Sequence, residues 1–203
     1  MSQYDPVTAA RLQEFLRRVG REVREPGRVL LVGGTGLIYQ NLKGLTKDID
    51  LDTPLPPSAH DQFWRTARRV GREMNIAVEE ASPAQFIPLP RGAEDRHRYL
   101  GRQGTLEVFA YDPVSTALAK IARGRPADFA DIFALIEEGQ LRVGTLTASL
   151  DEILPRVAAG EARKITPEDY RANMDAFLAD ARARGLDVDV DVDTGPATDD
   201  APG

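Results

Sequence analysis

Residues 31–52 read LVGGTGLIYQNLKGLTKDIDLD, and no other stretch restricts the fold of this chain so tightly. A short apolar strand at 29–32 runs into Gly33-Gly34-Thr35. A helical turn follows, and then a second strand carries Asp48, Asp50 and Asp52 on alternate positions. Side chains two apart on a strand share a face, so Asp48 and Asp50 project together while Ile49 and Leu51 face a core. Two neighbouring carboxylates repel unless a cation lies between them. Mg²⁺ suits such a pair because it takes a few carboxylates together with substrate phosphates. Two glycines let a phosphate chain come close to the backbone. A phosphate cradle beside a metal-binding acid pair is a minimal kit for nucleotidyl or phosphoryl transfer.

Composition removes several alternatives. The 203-residue chain has no cysteine and two histidines, His60 and His97, which leaves no basis for thiol chemistry, disulfides or a histidine-rich metal site. Its net charge of −6 gives no global basic footprint for nucleic acid. The N-terminus lacks a signal-peptide apolar region, and no apolar run approaches the roughly 20 residues needed to cross a bilayer. The expectation is a cytoplasmic protein with no membrane association.

The hydrophobic pattern predicts helices at 6–24, 35–43 and 59–74, with strands at 28–33, 47–52 and 76–80. It also predicts a strand at 84–89, a turn at 90–96, and an antiparallel pair at 99–100 and 105–111 joined through 101–104. Beyond Pro113 the pattern is helical, at 113–123, 126–138, 146–158 and 166–184. The tail from Asp187 is acidic and of low complexity, which predicts disorder. The expected division is an α/β core with its N-terminal helix over 1–112, a helical region over 113–186 and the acidic tail over 187–203. Glu107, a polar residue within the strand LEVFA, is a third acid candidate.

Several motif readings fail on spacing. GGTGLIYQ is not G-x-G-x-x-G, because Tyr39 stands at the last position, and no G-K-[ST] completes a P-loop. Asp48-x-Asp50-x-Asp52 lacks the glycine and late glutamate of a calcium-binding loop. Asp50-Leu51-Asp52-Thr53 resembles the opening of a haloacid-dehalogenase phosphatase, which would use Asp50 as nucleophile within a parallel, Rossmann-like sheet.

Gly-Gly followed by Asp-x-Asp on a strand resembles the signature of the DNA polymerase β-like nucleotidyltransferase superfamily. The resemblance implies an α+β fold, with a small mixed sheet flanked by helices and a C-terminal helical segment. Asp48 and Asp50 would bind metal (Mg²⁺ or Mn²⁺), and Glu107 would be the third acid. Gly33, Gly34, Thr35 and Thr46 would contact a nucleoside triphosphate. Residues 112–131, DPVSTALAKIARGRPADFAD, are similar to the K-x-x-R-x-x-x-x-D-x-x-D region of small bacterial nucleotidyltransferase-like proteins related to AbiEii-type toxins. By that likeness Lys120 and Arg123 face phosphates, and Asp128 and Asp131 are motif residues, with Lys120 and Asp128 in the catalytic set. Lysine is a compact point charge suited to a triphosphate. The same residues also fit helix-dipole preferences, with cations at a helix C-terminus and Asp128 in a first turn.

The resemblance spans about residues 28–140. It implies a metal-dependent transfer of a nucleoside monophosphate to an acceptor hydroxyl on tRNA, a protein or a small molecule, and a toxin role with an antitoxin partner. Gly44-Leu45 and Ala127 stand where close relatives carry basic residues. A catalytically weak binding or regulatory protein of the same fold is therefore the alternative. Arg65, Arg68, Arg69 and Arg72, together with Arg17, Arg21 and Arg24, form either a basic surface for RNA or a solvated helix face. Trp64 beside them reads as core.

Overall fold

The computed structural model describes residues 4–162 and 164–188, so the acidic tail beyond Val188 lies outside the described residues. Its chain order is α1 Ala9–Glu22, β1 Gly27–Leu31, α2 Gly34–Tyr39, β2 Asp48–Asp52, α3 Pro57–Glu73 and β3 Ala77–Glu80. Then come β4 Arg98–Gln103, β5 Leu106–Ala110, α4 Pro113–Arg123, α5 Pro126–Glu137, α6 Val143–Ala158 and α7 Pro167–Ala183. The strands form one mixed sheet in the order β3-β2-β1-β5-β4. β1 runs antiparallel to β2 and parallel to β5, β2 and β3 are parallel, and β4 and β5 are antiparallel. This is the expected α+β architecture. The antiparallel β1–β2 pair contradicts the parallel sheet that a haloacid-dehalogenase reading requires.

One sheet face is apolar. Val29, Leu31, Ile49, Leu51, Leu106 and Val108 pack against Leu12, Phe15, Leu16 and Val19 of α1 and Phe63, Ala67 and Val70 of α3. Trp64 belongs to this core, and its indole N–H donates to Thr53 Oγ1 at 3.1 Å. The arginines beyond that apolar stripe are partly paired, Arg17 and Arg18 with Glu14, and Arg69 with both Glu22 and Glu73. A second core lies among α4–α7, with Leu118, Ile121, Ile132, Phe133, Leu146, Ile153, Tyr170 and Phe177 buried together. The buried Tyr170 hydroxyl donates to the Leu118 carbonyl at 2.8 Å and ties α7 to α4. Leu37 of α2 and Ile87 of the loop after β3 insert into this helical core. The opposite sheet face, carrying Asp48, Asp50 and Asp52, is therefore flanked by the helical layer at one end.

Two strand expectations need correction. Residues 84–89 form no strand: Pro83–Gln85 is a 3₁₀ turn and irregular chain follows it. Pro83, Pro88 and Pro90 remove three ladder donors from a short stretch, which excludes a regular strand. β4 also continues through Gly101, which was expected to lie in a turn. There φ is +144°, and the pairing register shifts between Tyr99 and Gly101. A bulge at glycine lets the strand continue where a tight turn was predicted. The third C-terminal helix begins at Val143, three residues before its predicted start at 146.

Gly20 of α1 makes the closest approach of helix to sheet. A Cβ there would lie 2.2 Å from the Gln103 carbonyl oxygen. Alanine normally gains about 1 kcal/mol over glycine inside a helix, but this backbone clash costs about 1–3 kcal/mol. Gly20→Ala is expected to lower stability by up to about 2 kcal/mol in urea unfolding, despite its better helix propensity.

Candidate active site

The chain leaves β1 through Val32 into Gly33, whose φ of +55° and ψ of −126° suit only glycine. A Cβ at Gly33 would meet nothing within 4 Å, so the residue is required by its backbone angles and faces open space. Gly34 is a close-approach position instead, because its Cβ would lie 2.8 Å from Thr46 Oγ1. Thr35 is fully buried. Its hydroxyl accepts the Asp50 N–H at 2.9 Å and donates to the Asp48 carbonyl at 3.5 Å. Thr35 thus fastens the glycine turn to β2 and is not among the residues lining the cleft, unlike the phosphate contact the sequence suggested. Thr46 likewise packs behind Gly34 and bridges Val7, and is not among the residues lining the cleft.

Asp48 and Asp50 project together from β2, as their alternation predicts, with Ile49 and Leu51 buried beneath them. The third carboxylate comes from β3. Glu79 lies opposite Asp50 in the parallel β2–β3 register. One carboxylate oxygen each from Asp48, Asp50 and Glu79 lies within 4.8 Å of the others. Glu107 is not part of this group. It pairs with Arg28 in the β1–β5 register, whereas Asp50 bonds to β1 at Val32. Four residues of β1 separate the two levels, roughly 13 Å along the strand. Glu107 is 4.0 Å from the Arg28 guanidinium instead.

These three carboxylates bear on Asp50 in particular. Burial, then the Asp48 charge, then the Glu79 charge push its pKa up to about 7, against a partial offset from Arg123 and Lys120. All the donors are hard oxygens, which suits Mg²⁺ or Mn²⁺ rather than a thiophilic metal.

The cations come from α4 and the loop after α2. Lys120 is buried, with its ammonium 2.6 Å from Asp131 and 3.4 Å from Asp128. Arg123 reaches Asp128 at 2.5 Å and is half exposed. Lys43, the nearest basic residue ahead of the Thr46-x-Asp48-x-Asp50 segment, donates to both oxygens of Asp131 at 2.8 Å. Asp128 Oδ2 is buried without a hydrogen-bond partner among the described residues. Across Asp48, Asp50, Glu79, Asp128 and Asp131, five carboxylates face the three cations Lys43, Lys120 and Arg123. The deficit of two positive charges is what one divalent cation would balance.

A cleft of about 270 Å³ joins the parts. Gly33 and Gly34 form one side, Asp48, Asp50 and Glu79 the floor, and Lys120 and Arg123 the wall from α4. The structure brings together six of the sequence-predicted residues here, namely Gly33, Gly34, Asp48, Asp50, Lys120 and Arg123. Asp128 and Asp131 stand behind the cations. Glu79 was missed because AVEE reads as a short amphipathic strand. Only its pairing with β2 through the α3 crossover carries the information.

Comparison with known proteins gives one family. Residues 10–172 match the model of the family described as "Nucleotidyltransferase of unknown function (DUF6036)". The match covers most of the chain, and the chain belongs to that family. No curated protein and no solved structure matches it.

A raised carboxyl pKa in the fold means that the folded chain holds a proton which the unfolded chain has already lost. Stability therefore falls as pH rises from about 4 through about 7. The Asp50 charge is expected to cost the fold about 2 kcal/mol at pH 8, allowing for solvent screening. Asp50→Asn should flatten this decline in metal-free thermal unfolding. Mn²⁺ should raise the melting temperature of the unaltered chain far more at pH 8 than at pH 5.5, and should fail to do so in Asp48→Asn.

Proposed function

We propose that the protein transfers a nucleoside monophosphate from a nucleoside triphosphate to an acceptor hydroxyl. The observation that carries this reading is the convergence of Asp48, Asp50 and Glu79 beside the Gly33-Gly34 turn in a chain of a nucleotidyltransferase family. Asp48, Asp50 and Glu79 would hold Mg²⁺ or Mn²⁺, with Glu79 in the place first given to Glu107. When bound, the metal supplies charge neutralisation at the phosphates and lowers the pKa of a coordinated hydroxyl.

The chain's own groups do the rest. The backbone at Gly33 and Gly34, which both line the cleft, receives the β- and γ-phosphates. Arg123, half exposed on the cleft wall, pairs with phosphate oxygens, and Lys120 adds a fixed positive charge from α4. Asp128 and Asp131 act as positioning residues that hold those cations. The acceptor oxygen attacks the α-phosphorus in line, a carboxylate of the cluster takes its proton, and the bond to the β-phosphate oxygen breaks to release pyrophosphate.

Acceptor candidates are a tRNA 3′ end, a protein side chain or a small molecule. A toxin of the AbiEii type, opposed by an antitoxin, follows if the acceptor is essential to the cell. The second reading, a binding or regulatory protein with a weak site, is favoured by the tight pairing of Lys120 to Asp131, which competes with a phosphate for the same ammonium.

The test is transfer of label from the four α-³²P nucleoside triphosphates to total tRNA, to the protein itself and to cell extract, with Mg²⁺ or Mn²⁺. Labelled acceptor is expected with the unaltered chain. Asp48→Ala, Asp50→Ala and Glu79→Gln should each lose on the order of 10²- to 10³-fold or more, while Glu107→Gln stays near wild type. Metal-dependent nucleotide binding without transfer would support the second reading.

A further inference from the structure

Phe86 is a large apolar side chain left 41% exposed. It lines the same cleft as Asp48, Asp50 and Glu79. Exposure of a large aromatic ring forgoes hydrophobic stabilisation, so what keeps it out of the core is informative. Its neighbours are the cause. Pro83 is buried at the start of the 3₁₀ turn, and Ile87 is buried in the helical core at 1% exposure. The N–H groups of Phe86 and Ile87 both donate to the Pro83 carbonyl, at 2.9 and 3.1 Å. With the turn closed and Ile87 anchored, Phe86 is held facing the cleft.

The surroundings of the ring differ from the acid end. Ala81, Ser82, Pro83 and Ala119 line this part of the chain and of α4, and are small or apolar. The hydroxyl of Ser82 lies 3.3 Å from that of Tyr111. The Lys164 ammonium stands 5.8 Å from the ring centroid. The cleft thus offers a phosphate-binding region at Gly33, Gly34 and Arg123 and a flat aromatic surface at Phe86. A nucleoside triphosphate has the matching polarity, with charged oxygens at one end and a π-faced base at the other.

We propose that Phe86 is the platform on which the nucleobase of the triphosphate stacks. This rests on the nucleotidyltransferase reading of the cleft. Stacking on an aromatic ring tolerates any base but favours the larger π surface, so purine nucleotides bind tighter than pyrimidine ones. Phe86 contributes to binding of the nucleoside and not to binding of the phosphates.

Calorimetry with ATP, UTP and inorganic tripolyphosphate, each with Mn²⁺, on the full chain separates these contributions. Phe86→Ala is expected to weaken ATP binding on the order of ten- to a hundredfold and to leave tripolyphosphate binding unchanged, with an unaltered melting temperature. Phe86→Trp should retain ATP binding, and its added emission should be quenched by ATP but not by tripolyphosphate. Trp64, the single native tryptophan, is buried beside α1 and gives a constant background. ATP binding unaltered in Phe86→Ala, or emission indifferent to ATP in Phe86→Trp, overturns the platform while leaving the phosphate site standing. Binding of neither ATP nor tripolyphosphate by the unaltered chain overturns the reading of the cleft itself, and the platform with it.

Discussion

Mutual repulsion among Asp48, Asp50 and Glu79 is the interaction around which the rest of the molecule is arranged. Carboxylates this close do not gather without restraint. β2 and β3 supply it through a parallel register that sets Glu79 beside Asp50, and α3 is the crossover that makes a parallel neighbour possible. Beneath them Ile49 and Leu51 are fully buried, so the strand cannot rotate its acids away without exposing its core face. Thr35 adds a hydrogen bond to the Asp50 N–H and so sets the height of the glycine turn relative to the acids. The compensating cations sit on another layer, on α4, whose own start is fixed by the buried Asp112. That carboxylate accepts two hydrogen bonds from Arg96 and the N–H groups of Val114 and Ser115.

Legibility from sequence follows the range of the forces involved. The alternation D-I-D-L-D states locally which residues are buried, and β2 forms as its pattern predicts. The four C-terminal helices announce themselves by proline near their starts or by glycine and polar residues near their ends, so element type was readable throughout that region. Glu79 was not readable, because its importance comes from strand order and register, which a single chain does not spell out. Glu107 looked equivalent for the same reason. Both are acids on strands of the sheet, and only the offset along β1 tells them apart. Thr35 stands in a motif position and turns inward, since burial of a hydroxyl is satisfied by a backbone partner close at hand.

The charge network behind the cleft repeats the logic of the acids with opposite sign. Lys120 is buried and held by two carboxylates, which fixes its ammonium at the cost of desolvation. Arg123 shares one of those carboxylates yet stays half exposed, and it is the cation with freedom to move toward a ligand. One residue supplies a permanent field and the other an adaptable contact.

The Lys43–Asp131 pair joins residues 88 positions apart, and Leu37 reaches from the glycine turn's helix into the core formed by α4–α7. Neither sheet layer nor helical layer contains the complete cleft. Contacts of such long sequence separation carry a large loop-closure entropy and form after local structure. The order of assembly therefore withholds the site from a partly made chain: a ribosome-bound product with its sheet complete but α4 still unsynthesised has its acids and lacks Lys120 and Arg123, the cations that share the cleft with them.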